Sequence, residues 1–471
     1  MCAGGVAAAV TRFPRIIFLL ALHAAIGALF AAELPLPNET AASSALARPT
    51  KSQLELQEMA FGLFVHWSPS VYQGTENDNG KTLAASINPD RFDAEQIVRA
   101  AQSCGAGYVV FVAKHVGGYC AWQTKTTDYS IKTSPWKGGK GDMVGEMAAA
   151  CAKAGLKFGV YLCPRDDHAK IGNGGRAGRR QAEANAYYRE QLTELLTNYG
   201  ALFEVWFDGG VAAPVNDLFE KYAPEAITFL GRHKGSTRWV GSEYGTTVYP
   251  SWSTVSGKEG DLPTKGAGVP DGNLWAPAEC DVSILFPKWF WTPGSDSHVV
   301  SLQRLLDIYY RSVGRGSILL LNMTPDDHGV VPEAQMKRLA ELGQEIRARF
   351  GTPLTTTSAA MKETTGELVL PLGGEVTVDH VRLREDIRGG ERVRRFKLEA
   401  RTGTNAWTTL NVGSHIGSRQ IIPFPAVKAT ELRLQILESV APPALAEFAA
   451  FHVGRPVPKA AFRSAEVKTQ K

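Results

Sequence analysis

Almost unbroken apolar runs of seven to ten residues, set between segments of helical period, give the chain its organisation. They are FGLFVHWS (Phe61 to Ser68), GYVVFVAKH (Gly107 to His115), LKFGVYLCP (Leu156 to Pro164), ALFEVWFDGG (Ala201 to Gly210) and GSILLLN (Gly316 to Asn322). None alternates apolar with polar, and glycine, proline or polar turn residues bound them, so they predict strands buried on both faces. Two shorter strands are expected at Ile227 to Leu230 and Arg238 to Ser242. Between the runs, helices are expected at Asp93–Ser103, Met143–Lys153, Ala184–Thr197, Val215–Tyr222, Ser301–Val313 and Glu333–Phe350. The third of these carries Tyr188, Leu192, Leu195 and Leu196 on one side. Strand followed by helix, seven or eight times over residues 61–350, predicts an α/β fold of the (β/α)8 TIM-like barrel class. A doubly wound open sheet is the alternative. No Gly-x-Gly-x-x-Gly or Walker pattern follows the first strand to supply a nucleotide reason for it.

After Gly351 the pattern changes. GELVLPL, EVTVDHVRLRE, RRFKLEARTG, WTTLNVG, RQIIPFP, TELRLQIL and AEFAAFHV follow one another with no helix-period segment between them. They predict a C-terminal all-β sandwich domain over 352–456, followed by a basic tail, 457–471. Such a module could bind carbohydrate or cover barrel surface, and covering is the favoured reading.

At the other end, Arg12 and Arg15 precede the uncharged apolar run Ile16 to Ala32, which reads as a secretory signal peptide over 1–32. Its 17 residues fall short of the roughly 20 that a spanning helix needs, so no membrane span is expected in the mature chain. An Ala-, Pro- and Ser-rich linker, 33–50, would lead into a catalytic barrel domain over 51–351. Localisation is therefore expected to be secreted or periplasmic. The chain has 471 residues, 44% hydrophobic, enough to bury a large core and a second module. Its formal charge of +4 falls to +2 without Arg12 and Arg15, which argues against a nucleic-acid partner. Without Cys2, five cysteines remain, too sparse and odd a set for a disulfide framework, although one bridge is possible. No Cys-x-x-Cys or paired-histidine spacing suggests a metal, and no cofactor is expected. The sequence does not specify an oligomeric state.

Candidate chemistry lies at the strand ends. His66-Trp67 close the first strand, Lys114-His115 the second, with Trp122 just beyond; Tyr161 lies near the end of the third, Asp208 at the end of the fourth, and Glu243 after RWVGS. In a barrel these gather at the C-terminal face of the strands. Singly, each has an ordinary structural explanation: Asp208 could close an Asp-Gly turn, and a strand-end histidine could be a hydrogen-bonded core residue. Together they make a glycosidase-like set of two carboxylates, imidazoles that can bond hydroxyls, and aromatics that can stack on a sugar face.

The segments FGLFVHW, AKHVGGYCAW, FGVYLCP, NAYYREQLTELLTNYGALFEVWFDGG, RWVGSEYG, PAECDVSI with WFW, and GSILLLNMTPDDHGVVPE resemble, in order, the α-L-fucosidases of glycoside hydrolase family twenty-nine. The nearest branch is the one whose plant and bacterial members act on branched fucosylated glycans. The resemblance implies a retaining exo-glycosidase acting on a fucosylated oligosaccharide or glycoconjugate. It makes Asp208 of the WFDG motif the nucleophile and Glu243 the general acid/base. Glu279 of PAECDVSI is the alternative acid, expected instead to be a loop carboxylate holding a strand end. Positions matching the family's sugar contacts are His66, His115, Trp122, Tyr161 and Trp289.

The chain also departs from the family pattern. Where relatives read Lys-His-His-Asp-Gly-Phe, it has Lys114-His115-Val116-Gly117-Gly118-Tyr119, losing an imidazole and a carboxylate. Glu76-Asn77 stands for Glu-Trp, Arg165 for a tryptophan, and Phe286-Pro287-Lys288-Trp289 for Arg-Pro-Gly-Trp. These departures bear on substrate preference. They leave open a related exo-glycosidase for another deoxy-sugar or galactoside, and a non-catalytic fucose-binding protein on a glycosidase scaffold.

Overall fold

Thr50 caps the first helix, α1 (Lys51–Met59), by accepting from the Gln53 amide while the Gln53 side chain accepts from the Thr50 amide. The computed structural model describes residues 46–172, 180–231, 235–258 and 260–462. The expected leader 1–32, most of the expected linker and residues 463–471 of the expected basic tail lie outside the described residues. No helix among the described residues is long and apolar enough to cross a membrane.

Eight parallel strands close into a barrel: β1 (Phe61–Val65), β2 (Tyr108–Lys114), β3 (Lys157–Leu162), β4 (Glu204–Trp206), β5 (Ile227–Phe229), β6 (Ser236–Trp239), β7 (Ala278–Ser283) and β8 (Ile318–Met323). The ring closes where Leu63 of β1 pairs with Leu321 of β8 on one side and Val109 of β2 on the other. The reason that the runs do not alternate is visible in their two faces. Phe64, Tyr108, Val110, Tyr161, Trp206, Phe229 and Leu320 fill the barrel interior. Their neighbours Leu63, Val65, Val109, Phe111, Val160 and Leu321 pack outward in the layer between the barrel and its helices. Both faces being apolar, a two-residue period leaves no polar trace.

The expected barrel is therefore present, with unequal units. Helices α2 (Ala94–Cys104), α3 (Met143–Ala154), α4 (Gln181–Asn198), α5 (Asn216–Tyr222), α6 (Leu302–Arg311) and α7 (Glu333–Phe350) cover it. No helix separates β5 from β6 among the described residues, and the β6–β7 connection is a long excursion carrying only a hairpin of Thr254–Val255 with Leu274–Trp275. The expected strand 201–210 narrows to three paired residues, and β6 begins and ends earlier than expected. Two elements of the barrel and its closure were not foreseen. Helix α1 closes the lower end of the barrel, its Gln53 donating to the Ser236 and Trp275 carbonyls at 2.9 and 3.1 Å. Strand β7 is the other; alternating Ala278, Glu279, Cys280 and Asp281 lacks the apolar run that marks its neighbours.

The C-terminal domain is antiparallel throughout, six strands in the order β9 (Thr355–Ala360), β14 (Ala444–Phe451), β10 (Gly366–Glu385), β13 (Gln420–Ser439), β11 (Val393–Arg401), β12 (Thr408–Gly413). Strands β10 and β13 each run for 20 residues and lose register near Pro371 and Val378. Residues from both sides of those breaks, Leu370 and Leu372 with Val381 and Leu383, enter one core, so the long strands fold the sheet over on itself. All five cysteines among the described residues are unpaired and buried.

Candidate active site

Asp208 stands two residues beyond the last paired residue of β4, where the backbone leaves the barrel rim. Tyr161, projecting inward from β3 and in register with Trp206, donates its hydroxyl to Asp208 Oδ2 at 2.9 Å. Beneath the carboxylate the rings of Tyr161, Trp206 and Phe229 stack in a column across β3, β4 and β5, with centroids 5.4 and 3.9 Å apart. The column fixes the height of the Tyr161 hydroxyl, and the hydroxyl fixes the carboxylate.

Facing Asp208 is Glu243, in the exposed loop past β6, where Trp289 Nε1 donates to Glu243 Oε2 at 2.9 Å. Trp289 is itself held at three points. Its amide donates to Glu76 Oε2 at 2.6 Å, its carbonyl accepts from Asn322 Nδ2 at 3.1 Å, and its ring lies 5.0 Å from that of His66. Asn322 Oδ1 also accepts from the His66 amide and lies 2.9 Å from His66 Nδ1. A carbonyl oxygen can only accept, so Nδ1 carries the proton and Nε2 presents its lone pair. His115 stacks on Tyr161 at 5.7 Å, and its buried Nδ1 has no partner among the described residues.

These groups line one cavity of about 240 Å³, with Glu76, Asn77, Asp281, Pro287 and Phe290 completing its wall. That is below the ~300–1,000 Å³ typical of drug-sized ligands and suits a single sugar ring. Burial pushes the Asp208 carboxyl above its ordinary range; the Tyr161 hydrogen bond opposes that shift and the Glu243 charge adds to it. Asp281 is driven further, to about 8, by burial, against the hydrogen bond from Trp239 Nε1 at 2.6 Å. Burial also depresses both imidazoles: His66, with the His115 charge adding, falls well below its usual value, and His115, with Arg165 adding, falls to about 3. Both are neutral near pH 7 and able to bond hydroxyls.

Asp208, Glu243, His66, His115, Tyr161 and Trp289 thus meet in one cavity; Trp122 and Glu279 do not. The turn after β2 folds back, Ala121 N donating to Ala113 O at 2.9 Å, and carries Trp122 into the layer between barrel and helices. There it is fully buried and donates to Glu194 Oε2 at 2.9 Å. Glu279 is not a loop carboxylate but an interior residue of β7, fully buried below the cavity beside Glu204 and accepting from Trp206 Nε1 at 2.8 Å. The two carboxyls lie close enough to share a proton, and both are pushed up in pKa by burial, Glu279 to about 7.

Reading strand ends alone missed Glu76, Asn322 and Asp281. The last was findable once ECDVS is a strand, because period two puts Glu279, Asp281 and Ser283 on one face. The departure at Gly117 also has a spatial answer. A Cβ there would meet Asp78 Oδ2 at 1.9 Å, and one on Gly118 would meet Asp166 Oδ1 at 2.1 Å. Asp78 is buried and bonded to Gln73 Nε2 and Gly80 N, and Asp166 pairs with buried Lys114 at 3.2 Å. Carboxylates from neighbouring loops therefore fill the space that side chains at 117 and 118 would need.

The sequence matches a family model described as alpha-L-fucosidase over residues 72–348. It is 32% identical to alpha-L-fucosidase 1 of Arabidopsis thaliana over 83% of this chain and 85% of that one. The crystal structure of a glycoside hydrolase 29 family member from an unknown rumen bacterium superposes with a TM-score of 0.78 at 32% identity, covering 88% of this chain and 79% of that one. A crystal structure assigned to an alpha-L-fucosidase of Bacteroides thetaiotaomicron superposes with a TM-score of 0.80 at 32% identity, covering 86% and 99%.

Proposed function

The chain belongs to the alpha-L-fucosidase family, and from that premise we propose that it is an exported exo-glycosidase releasing terminal α-L-fucose from glycans with net retention. One observation carries the reading: two carboxyls of unlike surroundings face one sugar-sized cavity, Asp208 fixed by Tyr161 and Glu243 by Trp289. Asp208, ionised, attacks the anomeric carbon as Glu243 gives its proton to the departing glycosidic oxygen, leaving a fucosyl ester on Asp208. Glu243, now a carboxylate, takes a proton from water, which attacks the same carbon, releases Asp208 and returns the original configuration. Such a double displacement calls for carboxyl groups about 5–5.5 Å apart. The neutral His66 accepts a hydrogen bond from a sugar hydroxyl at Nε2, and His115 offers its unpartnered Nδ1. Glu279, closed off below Trp206, has no path to the leaving oxygen. The RWVGSEYG segment that carries Glu243 supports the branch whose members trim branched glycans, and the leader-like residues 1–32 support export.

The test is hydrolysis of an aryl α-L-fucoside, with the anomer released followed by NMR. Wild type should give α-fucose first. Asp208→Ala should lower kcat by at least about 10³-fold, and Glu243→Ala should slow turnover through the second step while sparing kcat/KM for substrates whose leaving group needs no proton. Release of β-fucose first, or full activity in Asp208→Ala, would refute the reading.

A further inference from the structure

We propose that Tyr244 and Phe286 form a leaving-group subsite that stacks the pyranose ring to which the fucose is attached. The inference rests on the role of Glu243 given above. A proton donor must touch the glycosidic oxygen, so the sugar carrying that oxygen lies on the Glu243 side of the cavity and outside it. Tyr244 is the next residue along the chain. Tyr244 is 56% exposed, more than Tyr222 (37%) or Phe462 (42%), the other exposed residues of Phe, Tyr or Trp type among the described residues. An aromatic left this open forfeits hydrophobic stabilisation unless something covers it.

The ring has a fixed neighbour. Tyr244 and Phe286 lie with centroids 5.4 Å apart and planes inclined at 45°. Phe286 stands where the family pattern has arginine, next to Pro287 of the cavity wall, and its amide donates to Ser283 O at 3.0 Å. The Tyr244 backbone is pinned as well, since its carbonyl accepts from Arg304 Nη2 at 3.2 Å and the following Gly245 amide donates to Asp281 O at 3.1 Å. Gly245 has φ +68°, and a Cβ on it would come within 2.5 Å of Val282 Cγ1, so the turn presses directly on β7. Two rings on anchored backbone, continuous with the cavity wall and beside the proton donor, form a pre-ordered platform. Aromatic faces take the apolar C–H face of a pyranose, and a platform already in place costs little ordering on binding. The ligand is thus a hexose or N-acetylhexosamine ring glycosidically linked to fucose.

Two substrates that differ only beyond the bond test this. α-L-Fucosyl fluoride has a leaving group too small to reach the platform, and a fucosyl disaccharide places a pyranose there. The ratio of kcat/KM for the disaccharide to that for the fluoride does not depend on how much of a preparation is folded. In Tyr244→Ala/Phe286→Ala the ratio should fall about fivefold to tenfold, the worth of an aromatic stack. Tyr244→Phe, which keeps the ring, should restore a ratio near wild type in the otherwise native chain. A ratio unchanged in the double variant would overturn the subsite while leaving fucoside hydrolysis intact. Failure of wild type to hydrolyse the fluoride would overturn both.

Discussion

Tyr161 is the residue on which the protonation of Asp208, the proposed nucleophile, turns. Its hydroxyl is the one group that opposes the upward shift that burial and Glu243 impose on Asp208. A carboxyl with a raised pKa must lose its proton before it can attack, so kcat/KM falls as pH drops through that pKa. Removing the stabilising bond in Tyr161→Phe raises the pKa further. The acid limb of the kcat/KM profile should therefore move to higher pH, and kcat/KM near neutrality should fall about tenfold to a hundredfold, the worth of a hydrogen bond to a charged group. An acid limb that stays in place would show that Tyr161 does not govern Asp208. At this scale much of the cavity was legible, because His66, His115, Tyr161 and Asp208 sit at or near the ends of apolar runs. Trp122 was misplaced because a chain that doubles back after its strand carries no sign of it in the residues themselves.

Strand β7 is the element least visible in the sequence and the most unusual in the barrel. Glu279 and Asp281 point into the interior, where most neighbours of a strand would place aliphatic side chains, and burial raises both, to about 7 and about 8. The consequence for stability has a definite sign. A carboxyl whose folded pKa exceeds its unfolded value stabilises fully below the unfolded value, and that stabilisation is lost as pH rises through the folded value. For Asp281, flanked by Trp239, Glu243 and Glu279, the window runs from 3.8 to about 8. Asp281→Asn removes the titration. Wild-type Tm relative to the variant should be higher at pH 5 than at pH 8.5, by at least a few degrees, in thermal melts across that range. A constant difference would place an ionised Asp281 in the fold at pH 5. The strand itself was hidden because period reading looks for apolar runs, and β7 alternates small and acidic residues inside a closed ring.

In the whole molecule, barrel and β domain share structure. Glu391 of the β domain accepts from the Ser253 amide at 3.0 Å and from its hydroxyl at 2.7 Å, and His415 lies against Trp252 with centroids 4.3 Å apart. Tyr310 and Phe350 of the barrel helices pack with Ile421, Ala449 and Phe451 in one buried cluster. Through these contacts the module covers barrel surface and is tied to the β6–β7 excursion that starts at the Glu243 loop. The change of pattern at Gly351 announced the second module; how its long strands break register and which barrel residues it seals depend on pairings remote in sequence. The proposed double displacement requires a fucosyl ester at Asp208. Incubation with 2-deoxy-2-fluoro-α-L-fucosyl fluoride, which forms such an ester and hydrolyses it slowly, followed by peptic digestion and mass spectrometry, tests this most directly. One fluorofucosyl adduct is expected, on the peptide bearing Asp208 and absent from Asp208→Ala. An adduct on Glu243 or Glu279, or turnover of the reagent with no adduct at all, would contradict it.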